Sequence, residues 1–253
     1  MAANFENWPR FLVFKMFAKK GDKFTFKLRN SFEITVDRSM LGPFRDCFFD
    51  EKYLKHIPME AWKDKELNIV DIGANVGYFS LYALYKFPKA RVYSFEPMPF
   101  CFRELKQYAD TYRNMSLSVY NYAVGRDDGT IDFYVKDEGE FSTDSSIIPD
   151  STRKRIEVKT IKWNTLMNMI QVSQVDILKL DCEGSEYPIL YNLSPEEFSR
   201  INSISIEAHD VNSVTENMTK LVELLRKNNF DVDHESVVNL RDGGHIWAKR
   251  KSG

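Results

Sequence analysis

The sequence predicts an α/β sandwich built on a mostly parallel sheet, on three observations. Short apolar runs recur at intervals that suit buried strands, helical patterns follow them, and turn residues separate the two. The first run, Asn68 to Ile72, precedes a helical stretch from Gly77 to Lys86. The second, Arg91 to Phe95, leads into Pro99 to Arg113, where Pro99 suits a first helical turn because its missing N–H is not needed there. Ser118 to Tyr122 reads as the third strand, and Gly125 to Gly129 separates it from a strand-like stretch at Thr130 to Val135. The helical period vanishes across Val119 to Thr160, so this region supplies a strand and then a hairpin-like excursion. Within it, Glu138 to Asp150 carries Gly139, Pro149 and several Ser and Thr, and reads as a loop whose length suits a mobile rim or lid. Asp176 to Leu180 and Ser203 to Glu207 complete the buried runs, followed by helical patterns at Glu186 to Leu193 and Val214 to Asn228.

Residues 1–66 precede this alternation, with a helical opening and then Phe24 to Leu28 and Phe32 to Val36 flanking Arg29-Asn30-Ser31. They predict an N-terminal helix and β-hairpin extension packed on a main domain of residues 67–253. Phe5, Trp8, Phe11, Phe14 and Phe17 recur every three residues in the opening, with Arg10, Lys15, Lys19 and Lys20 between or after them. Such a stripe covers the main domain, pairs with a second subunit to give a homo-oligomer, or lies on an anionic membrane surface; packing against protein is the expectation. Thirty-five basic against 37 acidic residues leave no excess charge to draw a phosphate backbone, so no nucleic-acid partner is expected. Cys47, Cys101 and Cys182 are odd in number and form no C-x-x-C pair, which disfavours a disulfide framework or zinc site. No uncharged apolar run approaches the about 18 residues of a transmembrane helix, and no cleavage pattern follows an apolar start, so a cytoplasmic protein is expected.

Asp71-Ile72-Gly73-Ala74-Asn75-Val76-Gly77 lies where an apolar strand meets a helix, and its glycines allow a tight turn and close approach to a ligand. The dinucleotide pattern G-x-G-x-x-G would need glycine where Asn75 stands, which counts against an NAD-dependent oxidoreductase. A carboxylate at Asp71 suits the cationic groups of S-adenosylmethionine better than a diphosphate. The glycines alone would also serve an ordinary strand-to-helix turn capped by Asn75. Glu96, nineteen residues past Gly77 and just before Pro97, strengthens the ligand reading, because a carboxylate at the end of the second strand can grip ribose hydroxyls.

A second acidic cluster, Asp181-Cys182-Glu183-Gly184-Ser185-Glu186, follows another strand, at the sheet edge where ligands bind in open α/β folds. Glu207-Ala208-His209-Asp210 ends the next strand, and alternation turns Glu207 and His209 to one side, within reach of Asp181. Methylation of a hydroxyl requires loss of the acceptor proton, for which Asp181 and His209 are the catalytic candidates. Asp181, Glu207 and His209 would also suffice to hold a divalent cation, a choice the sequence leaves open. Read individually, His209 is equally a hydrogen-bonded strand-end histidine and Glu183 a helix-start carboxylate. Cys182 reads as a packing residue.

Taken together, Val70-Asp71-Ile72-Gly73-Ala74-Asn75-Val76-Gly77, Phe95-Glu96-Pro97 and Leu178-Lys179-Leu180-Asp181-Cys182-Glu183-Gly184-Ser185-Glu186 resemble the FkbM family of methyltransferases. The likeness runs from about Phe24 to the end, through Ala123-Val124-Gly125, Thr165-Leu166 and Ile206-Glu207-Ala208-His209. It implies a Rossmann-like seven-stranded sheet with one antiparallel strand, completed by Phe230 to His234 and His245 to Lys249. It also implies O-methylation with S-adenosylmethionine as cofactor. By the same resemblance Asp71, Gly73, Asn75 and Gly77 surround the methionine end of the donor, Glu96 binds its ribose, Tyr122 and Ala123 lie at the adenine, and Asp181 is the active-site acid. Tyr122 stands where the wider superfamily often has a polar or acidic residue. Family acceptors are sugars, polyketides and other hydroxyl-bearing products, so the expected partner is a small-molecule or glycan hydroxyl. A non-catalytic S-adenosylmethionine-binding module would keep the glycine loop and Glu96 but could dispense with Asp181, Glu183 and His209.

Overall fold

The computed structural model describes residues 4–19, 21–29, 32–135, 152–211, 214–237 and 243–251. The chain divides into two compact units, Met1–Lys55 and His56–Gly253. The first holds helix α1 (Trp8–Phe17), the antiparallel hairpin β1 (Lys23–Lys27) and β2 (Glu33–Asp37), and helix α2 (Leu41–Phe48). Its core is aromatic. Phe26 stacks on Phe44 at 4.4 Å between centroids and meets Phe11 of α1 at 4.8 Å, while Phe5 reaches Phe26 at 5.0 Å. So few residues make a core because each ring buries a large apolar area. The Leu28 N–H donates to the Phe32 carbonyl, which closes the hairpin and draws its strands one residue back from Leu28 and one forward from Phe32.

The second unit runs α3 (Met59–Trp62), β3 (Asn68–Ile72), α4 (Tyr78–Lys86), β4 (Arg91–Phe95), α5 (Pro99–Thr111), β5 (Ser116–Tyr120), β6 (Ala123–Gly125), β7 (Gly129–Val135) and β8 (Lys154–Lys162). It continues with α6 (Trp163–Ile170), β9 (Val175–Leu180), α7 (Glu186–Leu190), α8 (Pro195–Ser199), β10 (Ile201–His209), α9 (Met218–Lys227), β11 (Phe230–Val237) and β12 (Gly243–Arg250). Seven strands form one sheet in the order β11-β12-β10-β9-β3-β4-β5. The pairs from β10 through β9, β3 and β4 to β5 are parallel, whereas β12 runs antiparallel to both neighbours. This is the Rossmann-like sheet with one antiparallel strand that the sequence predicts. The hairpin-like excursion is a separate sheet, β6-β8-β7. The rim or lid expected at 138–150 lies outside the described residues.

Burial explains the pattern of each central element. In β3, Ile69 to Ile72 are all buried, as a strand covered on both faces requires. Helix α4 is buried from Tyr78 to Leu84, whereas α9 buries only Leu221, Val222 and Leu225. The first strand is central: β4 and β5 extend the sheet to one side and β9 and β10 to the other. The connections therefore reverse direction at β3 and β9, and their carboxyl ends frame the crevice where open α/β sheets receive ligands.

Candidate active site

The two motifs predicted as ligand-binding meet at that crevice. Gly73 has φ +74°, and a Cβ there would lie 1.8 Å from the Asp181 carbonyl oxygen, so glycine alone lets the β3 loop touch the end of β9. Gly77, at φ +91°, opens α4 where a Cβ would meet Leu105 of α5 at 2.5 Å. Between them Asn75 takes φ +51°, and its side-chain carbonyl accepts from the Val76 N–H at 2.8 Å. Asn and Asp tolerate that region because the short polar chain bonds locally.

Glu96 holds this loop against the end of β4. Its Oε2 accepts from the Asn75 N–H at 2.7 Å and its Oε1 from the Met98 N–H at 2.8 Å, which leaves each oxygen a further lone pair. Burial pushes its carboxyl up to about 7, against the two amide bonds and Lys179 that favour the anion. The Asn121 amide donates to the carbonyls of Glu96 and Pro97 at 2.8 and 3.0 Å, so the β5 end is tied to the β4 end. Tyr122 and Ala123 follow directly. Tyr122 is half-buried against the core and Ala123 packs with Phe133 and Val158.

Asp71 stands at the expected place in β3 but is closed off from solvent. It is fully buried, and its Oδ2 accepts from the Ser80 hydroxyl at 2.5 Å. Its Oδ1 is 3.1 Å from Lys179 Nζ, an ion pair without hydrogen-bond alignment. The cause is register: Ser205, Lys179, Asp71 and Ser94 are successive partners across β10, β9, β3 and β4, one polar rung through an apolar sheet. Asp71 therefore neutralises a buried ammonium and is not open to a ligand. Lys179 also donates to the Gly73 carbonyl at 2.7 Å and lies 3.7 Å from Asp181 Oδ2, so one cation serves both halves of the crevice. The sequence reading takes Lys179 as part of an apolar strand. Its signal was a lysine inside a buried run, two residues before the acid and hence on the same strand face.

The second cluster is organised by Glu186, which is fully buried at the start of α7. Its Oε1 accepts from the Cys182 N–H and its Oε2 from the Gly184 N–H, both at 2.8 Å. These bonds flank Glu183, which is held at φ +54° with its side chain 40% exposed. His209 at the end of β10 puts Nδ1 3.2 Å from Glu186 Oε1 and Nε2 3.8 Å from Glu183 Oε2. Burial pulls the imidazolium down, but the hydrogen bond and charge of Glu186, with Glu183 and Asp181 beyond, raise His209 to about 10. Burial raises Glu183 to about 7 against the pull of His209. Its exposure lets water moderate the shift without reversing it. Burial and the neighbouring Glu186 and Asp181 push the Cys182 thiol well above its usual range, so it stays protonated and unreactive.

The cation set expected of Asp181, Glu207 and His209 is not assembled. Glu207 pairs across the sheet with His245, Oε2 to Nε2 3.8 Å, and His209 is engaged by Glu186. Among the described residues no group of three His, Cys, Asp or Glu side chains converges to hold a metal ion. What does converge is a glycine loop, a buried carboxylate at the second strand, and a carboxylate cluster with one imidazole.

Comparison with known proteins agrees in position with these motifs. Residues 71–232 match the family model described as the methyltransferase FkbM domain. "Methyltransferase 1" of Beauveria bassiana is 24% identical over 161 residues, which cover 56% of this chain and 64% of that protein. The 31-O-demethyl-FK506 methyltransferase FkbM of Streptomyces tacrolimicus is 26% identical, over 75% of this chain and 81% of that one. The hexuronic acid methyltransferase AglP of Haloferax volcanii is 26% identical, over 75% and 77% respectively.

Proposed function

The chain belongs to the FkbM methyltransferase-domain family, and from that premise we propose that it transfers a methyl group from S-adenosylmethionine to a hydroxyl of a sugar, glycan or natural-product acceptor. The observation that carries this reading is the meeting of the Gly73–Gly77 loop with the Asp181–Glu186 cluster at the crevice between β3 and β9. The named activity of the Streptomyces relative supports methylation at oxygen, and that of the Haloferax relative supports a sugar acceptor. The residues fit the donor. Gly73 and Gly77 let the loop turn tightly against the end of β9 and against α5, and Glu96 keeps a lone pair on each oxygen for ribose hydroxyls.

When bound, the donor supplies an electrophilic methyl on a sulfonium, whose C–S bond breaks as the acceptor oxygen forms its new C–O bond. The protein must take the acceptor's proton. A base works best when its pKa lies near the working pH; Glu96 and Glu183 are both raised to about 7, and Glu183, 40% exposed where Glu96 is buried, is the one an acceptor can reach. His209, raised to about 10, is an imidazolium at neutral pH and has no free lone pair, so its part changes from base to counter-ion. It steadies the Glu183 anion across 3.8 Å while Glu186 holds the loop amides on either side. The left-handed backbone of Glu183 costs on the order of 1 kcal/mol, a strain common where a side chain must be presented to a ligand. Asp181, tied to Lys179, borders the donor loop and orients the acceptor.

The test begins with thermal-shift titration against S-adenosylmethionine, S-adenosylhomocysteine and NAD, followed by label transfer from methyl-labelled donor to a panel of hydroxylated sugars and lactones. The reading expects the first two ligands to stabilise, NAD not to, and turnover to rise with pH through about 7. Glu183→Gln should keep donor affinity and lose at least about 100-fold in kcat. Stabilisation by NAD alone would overturn the proposal.

A further inference from the structure

Helix α1 uses only part of its circumference inside its own unit. Phe11 is buried and Phe14 partly so, both against Phe24. On another face Leu12, Val13, Met16 and Phe17 are 43%, 55%, 70% and 74% exposed. With Leu12 as the origin, Met16 falls at about 40°, Val13 at about 100° and Phe17 at about 140° around the axis. Arg10 falls at about 160° and Lys15 at about −60°, so a basic residue borders the exposed apolar arc on each side. Both are exposed, the helix contains no acidic residue, and exposed Lys19 follows it.

That charge pattern identifies the occupant. A second copy docking by two-fold symmetry would bring its own Arg10 and Lys15 to the same face, setting like charges together. An anionic lipid surface satisfies both features: acyl chains receive the apolar arc, and the long basic side chains reach headgroup phosphates along their aliphatic stems. We propose that α1 is an interfacial helix that seats Leu12, Val13, Met16 and Phe17 in an anionic lipid surface, with Arg10 and Lys15 at headgroup level. No helix among the described residues is long and apolar enough to cross a membrane, and α1 itself has ten residues. One short helix gives weak and reversible binding that depends on lipid charge.

Co-sedimentation of the full chain with vesicles tests this, using phosphatidylcholine alone and two parts phosphatidylcholine to one of phosphatidylserine. Binding is expected to the mixed vesicles only and to fall as salt is raised. Arg10→Gln or Lys15→Gln should each weaken it about fivefold. Met16→Glu/Phe17→Glu should weaken it at least about tenfold, with thermal stability and circular dichroism unchanged because both side chains are exposed. Absence of binding to the mixed vesicles, or binding indifferent to these substitutions, overturns the proposal. So does a lipid-free dimer in analytical ultracentrifugation that the double substitution dissolves, since α1 would then pair with a second copy.

Discussion

Lys179 is the most consequential side chain that the sequence conceals, and replacing it with methionine tests whether the crevice hangs on one buried cation. Its side chain is 4% exposed and that of Asp71 not at all. Removing the ammonium leaves Asp71 with Ser80 as its donor and frees the Gly73 carbonyl. Breaking a buried ion pair from one side costs about 3–5 kcal/mol, because the remaining charge is uncompensated. Asp71→Asn should cost less, about 2 kcal/mol, since Lys179 keeps the Gly73 carbonyl and Asp181, whose own charge water partly solvates. In the double variant neither charge remains, and a loss of about 3 kcal/mol gives a coupling of about 2–4 kcal/mol. Urea unfolding followed by tryptophan fluorescence measures all corners of this cycle. Trp8 belongs to the first unit while Trp62, Trp163 and Trp247 lie in the second, so a Trp8→Phe background reports the second unit alone. Additivity within about 0.5 kcal/mol would mean that the two groups do not act as a pair, and the rung would lose its electrostatic role.

Two further outcomes follow from the crevice. Gly73→Ala sets a Cβ against the Asp181 carbonyl in a left-handed conformation, so it should lower Tm by at least about 5 °C and weaken donor binding; a change within about 1 °C would refute the close approach. His209 has its pKa raised in the folded state, so its contribution to stability is complete below about 6.5 and is lost as pH rises through about 10. The urea midpoints of the wild type and His209→Gln should therefore differ most at pH 6 and converge above about pH 10. Proton NMR should show the imidazole still charged at pH 8, and titration near 6.5 would remove the Glu186 pairing.

The parts legible in the sequence were those fixed by local physics. Strands β3 and β4 have the predicted bounds because each apolar run stops at a residue that forces a turn or ends a ladder, Gly73 and Pro97. Helix α9 begins at Met218, four residues after the predicted start, because the Asn217 side chain accepts from the Lys220 N–H and caps it there. Helix α6 has no counterpart in the sequence reading, and strand β8 falls within the hairpin-like excursion without bounds of its own. The charged alternation Lys154-Arg155-Ile156-Glu157-Val158 looks like a solvated face until β7 pairs with it. Asp71 and His209 stand out as positions along the chain, but their side-chain partners do not, for a common reason. Their roles are set by Lys179 and Glu186, groups brought to them by register and loop closure, which no spacing along the chain encodes.

Those two pairings also bear on which ligand the crevice accepts. Glu96, Asp181 and Glu183 border its two halves, while Asp71 with Lys179 and Glu186 with His209 form pairs that largely offset each other beside them. Lys179 is nearly buried and already engaged by Asp71, Asp181 and the Gly73 carbonyl, so little of its charge projects outward. The local field is therefore negative where the glycine loop opens. A dinucleotide would bring its diphosphate into that field without an arginine or a free amide nest to receive it among the loop residues described. A sulfonium with an adjacent ammonium would enter it favourably. Loss of the methyl would leave a neutral thioether, which the same acids would hold less strongly than the charged donor. Affinity for S-adenosylmethionine should accordingly exceed that for an uncharged thioether analogue at low salt, and calorimetry at rising ionic strength should narrow the gap. A gap indifferent to salt and to Asp181→Asn would assign the preference to shape rather than to the acids.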